Sequence, residues 1–411
     1  MRFIFLTQYY PPETGAPQNR LSDLTRRLVG MGHQVQVLTA KPNYPRGCFY
    51  PGYEKGLWRH SDQGGVKVTH CWLYPTPKKQ IFFRLLNYFS FVVSAAVIGS
   101  FKLRKADILI VESPPLFLSI TAWWLSRIKK AHLVLNVSDL YPETAISLGM
   151  LRQRWLQKIF FGFEAWSYLV ARLVTGQTEG IISSIHRRFP KKPVFLLSNG
   201  IDLELFTALH EQARFVSRPA EEMFIVGYAG IFGHAQGLNS VIEAAKLLRE
   251  DKEIQFQFYG DGPLRESIIR MASDLRLENV HFMGHCSHSE IILTMHGWDV
   301  GLVPLVNTSL MAGALPSKLF ELMGAGLAIL LSAPQGEASA LVARANAGLW
   351  VEPEAPGKMA EAILALRGDR ERCQELGRNG KSYVEQHYNR GRIVEGFIAF
   401  LKQQDLMTEE R

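Results

Sequence analysis

The amino-acid sequence predicts an α/β protein made of two doubly wound domains, and three observations carry that expectation. The chain has 411 residues, beyond the roughly 250–300 at which a single hydrophobic core stops growing. Short β-branched runs alternate with helix-length segments from end to end. Most of these runs are continuously apolar instead of alternating, as parallel strands covered on both faces require. The alternation also halts after residue 198 and restarts near residue 224, which splits the chain into two comparable halves.

In the first half the strand candidates are residues 2–7, 34–39, 66–70, 107–111, 132–137, 173–176 and 194–198. The opening run MRFIFLT is followed by no small-residue cleavage site, so it reads as a first strand and not as a signal peptide. A polar stretch over 199–222 joins the halves. The second half offers strands at 224–230, 254–260, 280–284, 300–304, 327–332 and 348–351, each followed by a helix-like segment. One segment stands apart: residues 85–101 carry no charge and are flanked by Arg84, Lys102, Arg104 and Lys105. That length is the lower limit of a membrane span, and Asn87, Ser90, Ser94 and Ser100 dilute it. A buried helix, a shallow interfacial insertion supported by the basic flanks and a true span are the three alternatives.

Composition narrows the class. With 47% hydrophobic and 20% charged residues the chain is neither disordered nor fibrous. Cys48, Cys71, Cys286 and Cys373 form no C-x-x-C pair, so neither a zinc site nor a disulfide framework is expected and a reducing cytoplasm is the simplest home. The net charge of +8 is unevenly spread: residues 1–200 hold 26 Lys and Arg against 10 Asp and Glu, whereas residues 201–411 hold 20 against 28. The basic half should face something anionic: nucleic acid, a phospholipid surface or a phosphorylated substrate. Its cations are dispersed without a nucleic-acid reader motif, so no nucleic acid is expected as partner.

In doubly wound sheets ligands lie beyond the carboxyl ends of the strands, so the loops there carry the candidate chemistry. After the first strand, Pro11-Pro12 forbids helix, Gly15 permits close backbone approach, and a helix starts near Pro17. A glycine turn feeding a helix N-terminus suits phosphate. The second half repeats the device twice, with Gly230, Gly233 and Gly237 around His234 and Gln236, and with Gly260-Asp261-Gly262-Pro263. In LMAGALPSKLFELMGAG (310–326), Pro316 stands just before or at the first helical position, Ser317 is placed to cap, and Gly324-Ala325-Gly326 stop the helix. Lys318 falls in the first turn, where the helix dipole disfavours a cation unless an anion is bound there. Glu321 lies one turn on, on the same side, and a carboxylate suits the vicinal hydroxyls of a ribose. A local ion pair on a solvated face is the alternative. No G-x-G-x-x-G follows the first strand, which argues against a dinucleotide oxidoreductase.

Together PSKLFELMGAG, SNGID, YGDGPLR, YAGIFGHAQGL and the C-terminal GKSYVEQHYNRGRIVEGFIAFL resemble glycosyltransferase family 4, specifically the bacterial members that build surface polysaccharides such as lipopolysaccharide and O-antigen. The resemblance runs from Gly15 to near residue 401. It implies a GT-B architecture, two Rossmann-like domains facing a cleft: an acceptor-binding domain over 1–200, whose excess of cations would rest it on an anionic leaflet, a nucleotide-sugar-binding domain over 201–390, and a C-terminal helix over 391–411 packing back on the first. It further implies a retaining enzyme without metal or cofactor, with a UDP-sugar as co-substrate. Such an enzyme would transfer an N-acetylhexosamine-type sugar to a polyprenyl-diphosphate-linked glycan, peripherally, on the cytoplasmic face of the cell membrane. Rivals are an epimerase or phosphorylase of the same architecture, or a basic nucleic-acid-binding protein.

Carried residue by residue, the resemblance places the ribose on Glu321 and the diphosphate in the loop of Gly233, His234, Gln236 and Gly237. Gly15, Gly260, Asp261, Gly262, Pro316, Ser317 and Lys318 complete the donor site, with Phe282-Met283-Gly284 bordering the base. Asp139, at a strand end, joins Lys318 and Glu321 as a catalytic group on the acceptor side, with Glu143 nearby. An N-cap is the alternative role for Asp139. Two features depart from the family pattern. Gly313 stands where many members have a second glutamate, and the donor loop lacks their Arg and Lys, so cationic support must come from Lys318, backbone N–H groups, His234 or Arg20.

Overall fold

The computed structural model describes residues 1–406 apart from 14, 45, 79, 148, 214–222 and 285. The 214–222 part of the expected polar connector and residues 407–411 of the C-terminal stretch therefore lie outside the described residues. The chain divides into two compact units, Met1–Ser198 with the stretch from Gly391 onward, and Asn199–Arg390.

The strands of the first unit are β1 (Arg2–Leu6), β2 (Gln34–Ala40), β3 (Trp58–Gln63), β4 (Val66–Cys71), β5 (Ile108–Ser113), β6 (His132–Val137), β7 (Leu173–Gly176) and β8 (Val194–Leu196). They form one sheet in the order β3-β4-β2-β1-β5-β6-β7-β8, parallel except for the β3–β4 pair. Its helices are α1 (Ala16–Gly30), α2 (Ile81–Lys102), α3 (Leu118–Lys129), α4 (Glu143–Ser147), α5 (Arg154–Val170) and α6 (Glu179–Arg188). Because strand side chains alternate between faces, Phe3, Phe5, Val35, Val37, Ile108 and Ile110 pack to one side with Leu21, Leu24 and Leu28 of α1. Ile4, Leu6, Leu38, Leu109 and Val111 face the other side, against Phe91 and Ala95 of α2 and Leu118, Ala122 and Leu125 of α3. The chain reverses its direction of travel at β1, which lies between β2 and β5. The carboxyl ends of β1 and β5 are thus the switch point.

Strand β3 was not expected from the sequence. Its residues WRHSDQ carry no apolar run and none is buried. It exists because β4 offers it an antiparallel edge, so its signal is a partner and not a pattern.

The second unit holds α7 (Leu203–Ala213), β9 (Phe224–Ala229), α8 (Leu238–Leu247), β10 (Ile254–Tyr259), α9 (Arg265–Asp274), β11 (Val280–Gly284), α10 (His288–Met295), β12 (Val300–Pro304), α11 (Ser309–Ala312), α12 (Ser317–Gly324), β13 (Ala328–Ser332), α13 (Glu337–Arg344), β14 (Gly348–Val351), α14 (Pro356–Gly368) and α15 (Arg370–His387). Its sheet runs β11-β10-β9-β12-β13-β14, all parallel. Counted from its own first strand this is the 3-2-1-4-5-6 order of the Rossmann fold, with the switch between β9 and β12. The last helix, α16 (Arg390–Gln403), starts on the final residue of this unit. From Gly391 it belongs to the first unit, where it buries Val394, Phe397, Ile398 and Leu401.

The centre of the second sheet is closed by one large side chain. Trp298 is buried, its indole lies over Gly227 of β9 where a Cβ would occupy the ring, and its Nε1–H donates to Gln257 Oε1 at 3.0 Å. Gly227→Ala must displace either the indole or the strand. Overpacking of this kind costs about 1–3 kcal/mol, so melting followed by tryptophan fluorescence should shift down by about 2–4 °C per kcal/mol.

Candidate active site

In the second unit the site is built where β9, β10 and β12 end. The turn after β9 and the turn after β10 lie backbone against backbone. Phe232 N–H donates to Asp261 O at 2.9 Å, Leu264 N–H donates to Phe232 O at 2.9 Å, and Gly260 N–H donates to Gly284 O at 2.8 Å. A Cβ on Gly260 would strike the Gly230 carbonyl, and one on Gly262 would fall 2.7 Å from Phe232 N and O. Both residues also hold a positive φ, so glycine is required twice over.

Lys318 reaches this laced corner from the first turn of α12. Its Nζ donates to Gln236 Oε1 at 2.7 Å, stands 4.2 Å from the centroid of the Tyr228 ring, and lies 2.7 Å from where a Cβ on Gly230 would be. Tyr228 is buried and donates its hydroxyl to Ile231 O at 2.7 Å. Desolvation lowers the Lys318 ammonium to a pKa of about 7, with the Glu321 carboxylate opposing. A cation held in a helix's first turn with neutral partners gains from an anion brought beside it. Gly233 precedes the short turn of helix containing His234 and Gln236, and Gly237, with φ 55°, starts α8. The His234 side chain is exposed, as is Asp261, whose Oδ1 accepts the Gly262 N–H at 2.7 Å.

Glu321 is half-buried one turn along α12, and its Oε1 lies 3.2 Å from His288 Nε2. That hydrogen bond raises the imidazole's pKa above its usual value against the desolvation that would lower it. His288 was missed by the sequence reading. It is the first residue of α10, directly after Ser287, the N-cap of a Ser287–Glu290 capping box, and that box was the one signal marking a helix start there. Ser317 does not cap α12: Pro316 occupies the preceding extended position and no side chain caps the helix, so the N–H groups of Ser317 and Lys318 at its start are left for another acceptor, while that of Leu319 donates to Pro316 O. At β11, Phe282 stacks on Phe258 at 5.3 Å while Met283 is exposed. Gly313, at the end of α11, has φ −87° and is exposed, with only Leu310 O near an added Cβ, at 3.9 Å.

In the first unit a polar network crosses the ends of β5, β6 and β7. Glu112 and Arg20 form a buried ion pair at 2.5 Å. Asn136 Nδ2 donates to Glu112 Oε2 at 2.6 Å, Thr175 Oγ1 donates to Asn136 Oδ1 at 2.7 Å, Ser138 Oγ donates to Glu112 Oε1, and Gln177 Nε2 donates to Ser138 Oγ at 2.5 Å. A buried pair persists only when its remaining lone pairs are answered in this way. Arg20 is therefore held by Glu112 instead of standing as the free cation it was considered for. Asp139 follows directly; its pKa is raised to about 6, first by desolvation, then by the Glu112 charge, with Arg20 opposing. Glu143, at the start of α4, accepts from Arg188 Nη1 at 3.2 Å. Gly15 also lies in this unit, apart in the chain from the other donor candidates. It is extended, directly before α1, with Pro17 in the first turn. The loop before it is pinned by buried Glu13, whose Oε1 accepts the N–H groups of Asn43 at 2.7 Å and Tyr44 at 2.8 Å.

Comparison with known proteins matches residues 15–200 to the glycosyl transferase 4-like domain and residues 210–383 to the glycosyl transferases group 1. The putative colanic acid biosynthesis glycosyl transferase WcaI of Escherichia coli K12 is 27% identical, over 77% of this chain and 79% of that protein. The probable glycosyltransferase WbjE of Pseudomonas aeruginosa is 26% identical, over 83% and 85%. Among solved structures, Anabaena HepE in complex with UDP and glucose superposes with a TM-score of 0.69 at 14% identity, covering 97% of this chain and 99% of that one.

The loop geometry distinguishes two glycines. Gly313→Ala should leave the melting temperature unchanged within the effect of about 0.5 kcal/mol typical of a surface site. Gly336→Ala, whose Cβ would collide with the Ala312 carbonyl, should lower it by several degrees in the same thermal scan.

Proposed function

The chain belongs to the group 1, type 4-like glycosyltransferases of the GT-B fold that serve polysaccharide biosynthesis, and from that premise we propose that it is a retaining, metal-independent transferase. It moves an N-acetylhexosamine-type sugar from a UDP-sugar to a lipid-linked glycan at the cytoplasmic face of the membrane. The observation that carries the donor half is the desolvated Lys318 ammonium held by Gln236 against Tyr228 and Gly230, one turn from Glu321. The UDP in the similar Anabaena structure supports the choice of nucleotide.

The residues divide the work by chemistry. Glu321 accepts the ribose hydroxyls in place of His288. Lys318, the free N–H groups at the start of α12 and the loop of Gly233 to Gly237 take the diphosphate, where charge grows as the glycosidic bond breaks. Donors fixed in advance at that point stabilise the departing phosphate most. The ionised Asp139 orients the incoming hydroxyl, and a phosphate oxygen of the leaving group receives its proton. Desolvation raises the Asp139 pKa, the Glu112 charge adds to it and Arg20 opposes.

Two pKa values then bound the rate. Asp139 acts when ionised, so kcat/KM rises as pH passes about 6. Lys318 acts when protonated, so donor capture falls as pH rises and is halved at about 7. The pH profile of kcat/KM should be a narrow bell between these values. Asp139→Asn should remove the acidic limb and cost about 10²–10⁴-fold. Lys318→Arg should flatten the alkaline limb, because guanidinium stays charged.

Membrane extract incubated with UDP-, GDP- and dTDP-sugars, with lipid-linked product read by mass spectrometry, tests the assignment. UDP-sugars alone should give product, with the anomeric configuration kept and the rate unchanged by EDTA. Glu321→Ala should weaken donor binding about 10–100-fold, the worth of hydrogen bonds to a charged group. Product from GDP-sugars only, or full activity in Glu321→Ala, overturns the donor reading. Conversion of UDP-sugar without acceptor would favour an epimerase.

A further inference from the structure

Helix α2 is apolar on both sides. Its inner side, with Phe91, Val92, Ala95 and Ile98, belongs to the core of the first unit. Its outer side carries Phe82, Leu86, Phe89, Val93, Val97 and Phe101. Their spacing of three or four residues makes one stripe along the helix, and its ends are bare: Phe82 is 67% and Phe101 82% exposed. Helix α3 continues the surface with Ile120, Trp124 and Ile128, all exposed at steps of four. Trp124 Nε1 donates to Ser100 Oγ of α2 at 3.2 Å, so the two stripes adjoin. Helix α5 adds Trp155, Ile159 and Leu169, and joins α2 and α3 through Phe117, whose ring lies 4.8 Å from Phe89 and 5.2 Å from Phe160 and Phe163. Soluble proteins rarely leave a contiguous apolar patch of this extent uncovered.

The charges around the patch are predominantly of one sign. Helices α2 and α3 contain no Asp or Glu, and the single carboxylate of α5, Glu164, is buried against Arg188 at 2.6 Å. Arg84, Lys102, Arg127, Arg154 and Lys158 are exposed on the same three helices. Where α2 ends, Lys102, Arg104, Lys67 and His60 line a pocket of about 440 Å³ with Asp62 as its one acid. Lys102 Nζ sits there 4.2 Å above the Trp58 ring.

We propose that the α2–α3–α5 face is the surface by which the first unit docks on an anionic bilayer, its apolar stripes entering the headgroup boundary and its cationic rim and the Lys102 pocket holding lipid phosphates. An apolar face with a predominantly cationic rim matches that surface. A second copy applied face to face would bring like charges together. A span is opposed by the inner side of α2, where Asn87 Nδ2 donates to Tyr74 O at 2.8 Å, Asn87 Oδ1 accepts from Gln8, and Phe91 and Ala95 close the core. The inference deepens the membrane-side reading above by naming the surface, and its test involves neither donor nor acceptor, so the two readings fail separately.

The full chain is floated with vesicles of phosphatidylcholine, with and without phosphatidylglycerol. It should partition to the anionic vesicles and be released by salt. Val97→Asp with Phe101→Asp should reduce partitioning at least about tenfold. Lys102→Gln and Arg104→Gln should each reduce it about fivefold. All of these positions are exposed, and circular dichroism and the melting temperature should match the parent. Absence of binding to anionic vesicles, or equal binding by the aspartate variant, overturns the proposal. So does a concentration-dependent dimer in sedimentation velocity that the aspartate variant abolishes, which would assign the face to a second copy.

Discussion

The approach of two turns, backbone on backbone, sets what the second unit can do. Gly230, Gly260 and Gly262 let the ends of β9 and β10 touch where any side chain would collide. That contact brings Phe232 and Asp261 into register, and the absent side chain of Gly230 leaves room for Lys318 Nζ, 2.7 Å from where a Cβ would be. A larger residue at Gly230 would expel the lysine, and a looser pair of turns would let water in and return its pKa toward the ordinary value. Packing, and not the lysine alone, creates the desolvated ammonium.

The same logic holds in the first unit with the sign reversed. Glu112 is buried at the end of β5, where Arg20, Asn136 and Ser138 donate to its oxygens. Its charge adds to the desolvation that raises the Asp139 carboxyl's pKa. A structural ion pair thus tunes a neighbouring acid. In the second unit Glu321 does the same for His288. In each unit a carboxylate raises the pKa of a neighbour, Glu112 by adding to the desolvation of Asp139 at the end of β5 and Glu321 by a hydrogen bond to His288 from within α12.

Much of this was legible in the amino-acid order. The parallel strands announced themselves as continuous apolar runs, because both faces of each sheet are covered. The glycine turns were visible as punctuation between strand and helix. Lys318 and Glu321 could be placed on one side of α12 because helical spacing is local. Strand β3 was invisible, since a polar edge strand has no pattern of its own. The uncharged segment at 85–101 was read as buried, interfacial or spanning. In the fold it is half core and half open surface, because the sheet covers only one side of the helix.

Sequence alone therefore determined the fold class, the order of strands and helices, the glycine-rich loops at the strand ends, and the placing of Lys318 and Glu321 on one side of α12. These follow from periodicity and backbone preference within a few residues. Tertiary structure decided the partners: His288 for Glu321 across 33 residues, Glu112 for Arg20 across 92, Gln236 for Lys318 across 82. It also decided that the outer face of α2 stays open. Such pairings depend on which strand lies beside which, and in both sheets the crossovers at the first strand place side by side elements that the chain keeps far apart.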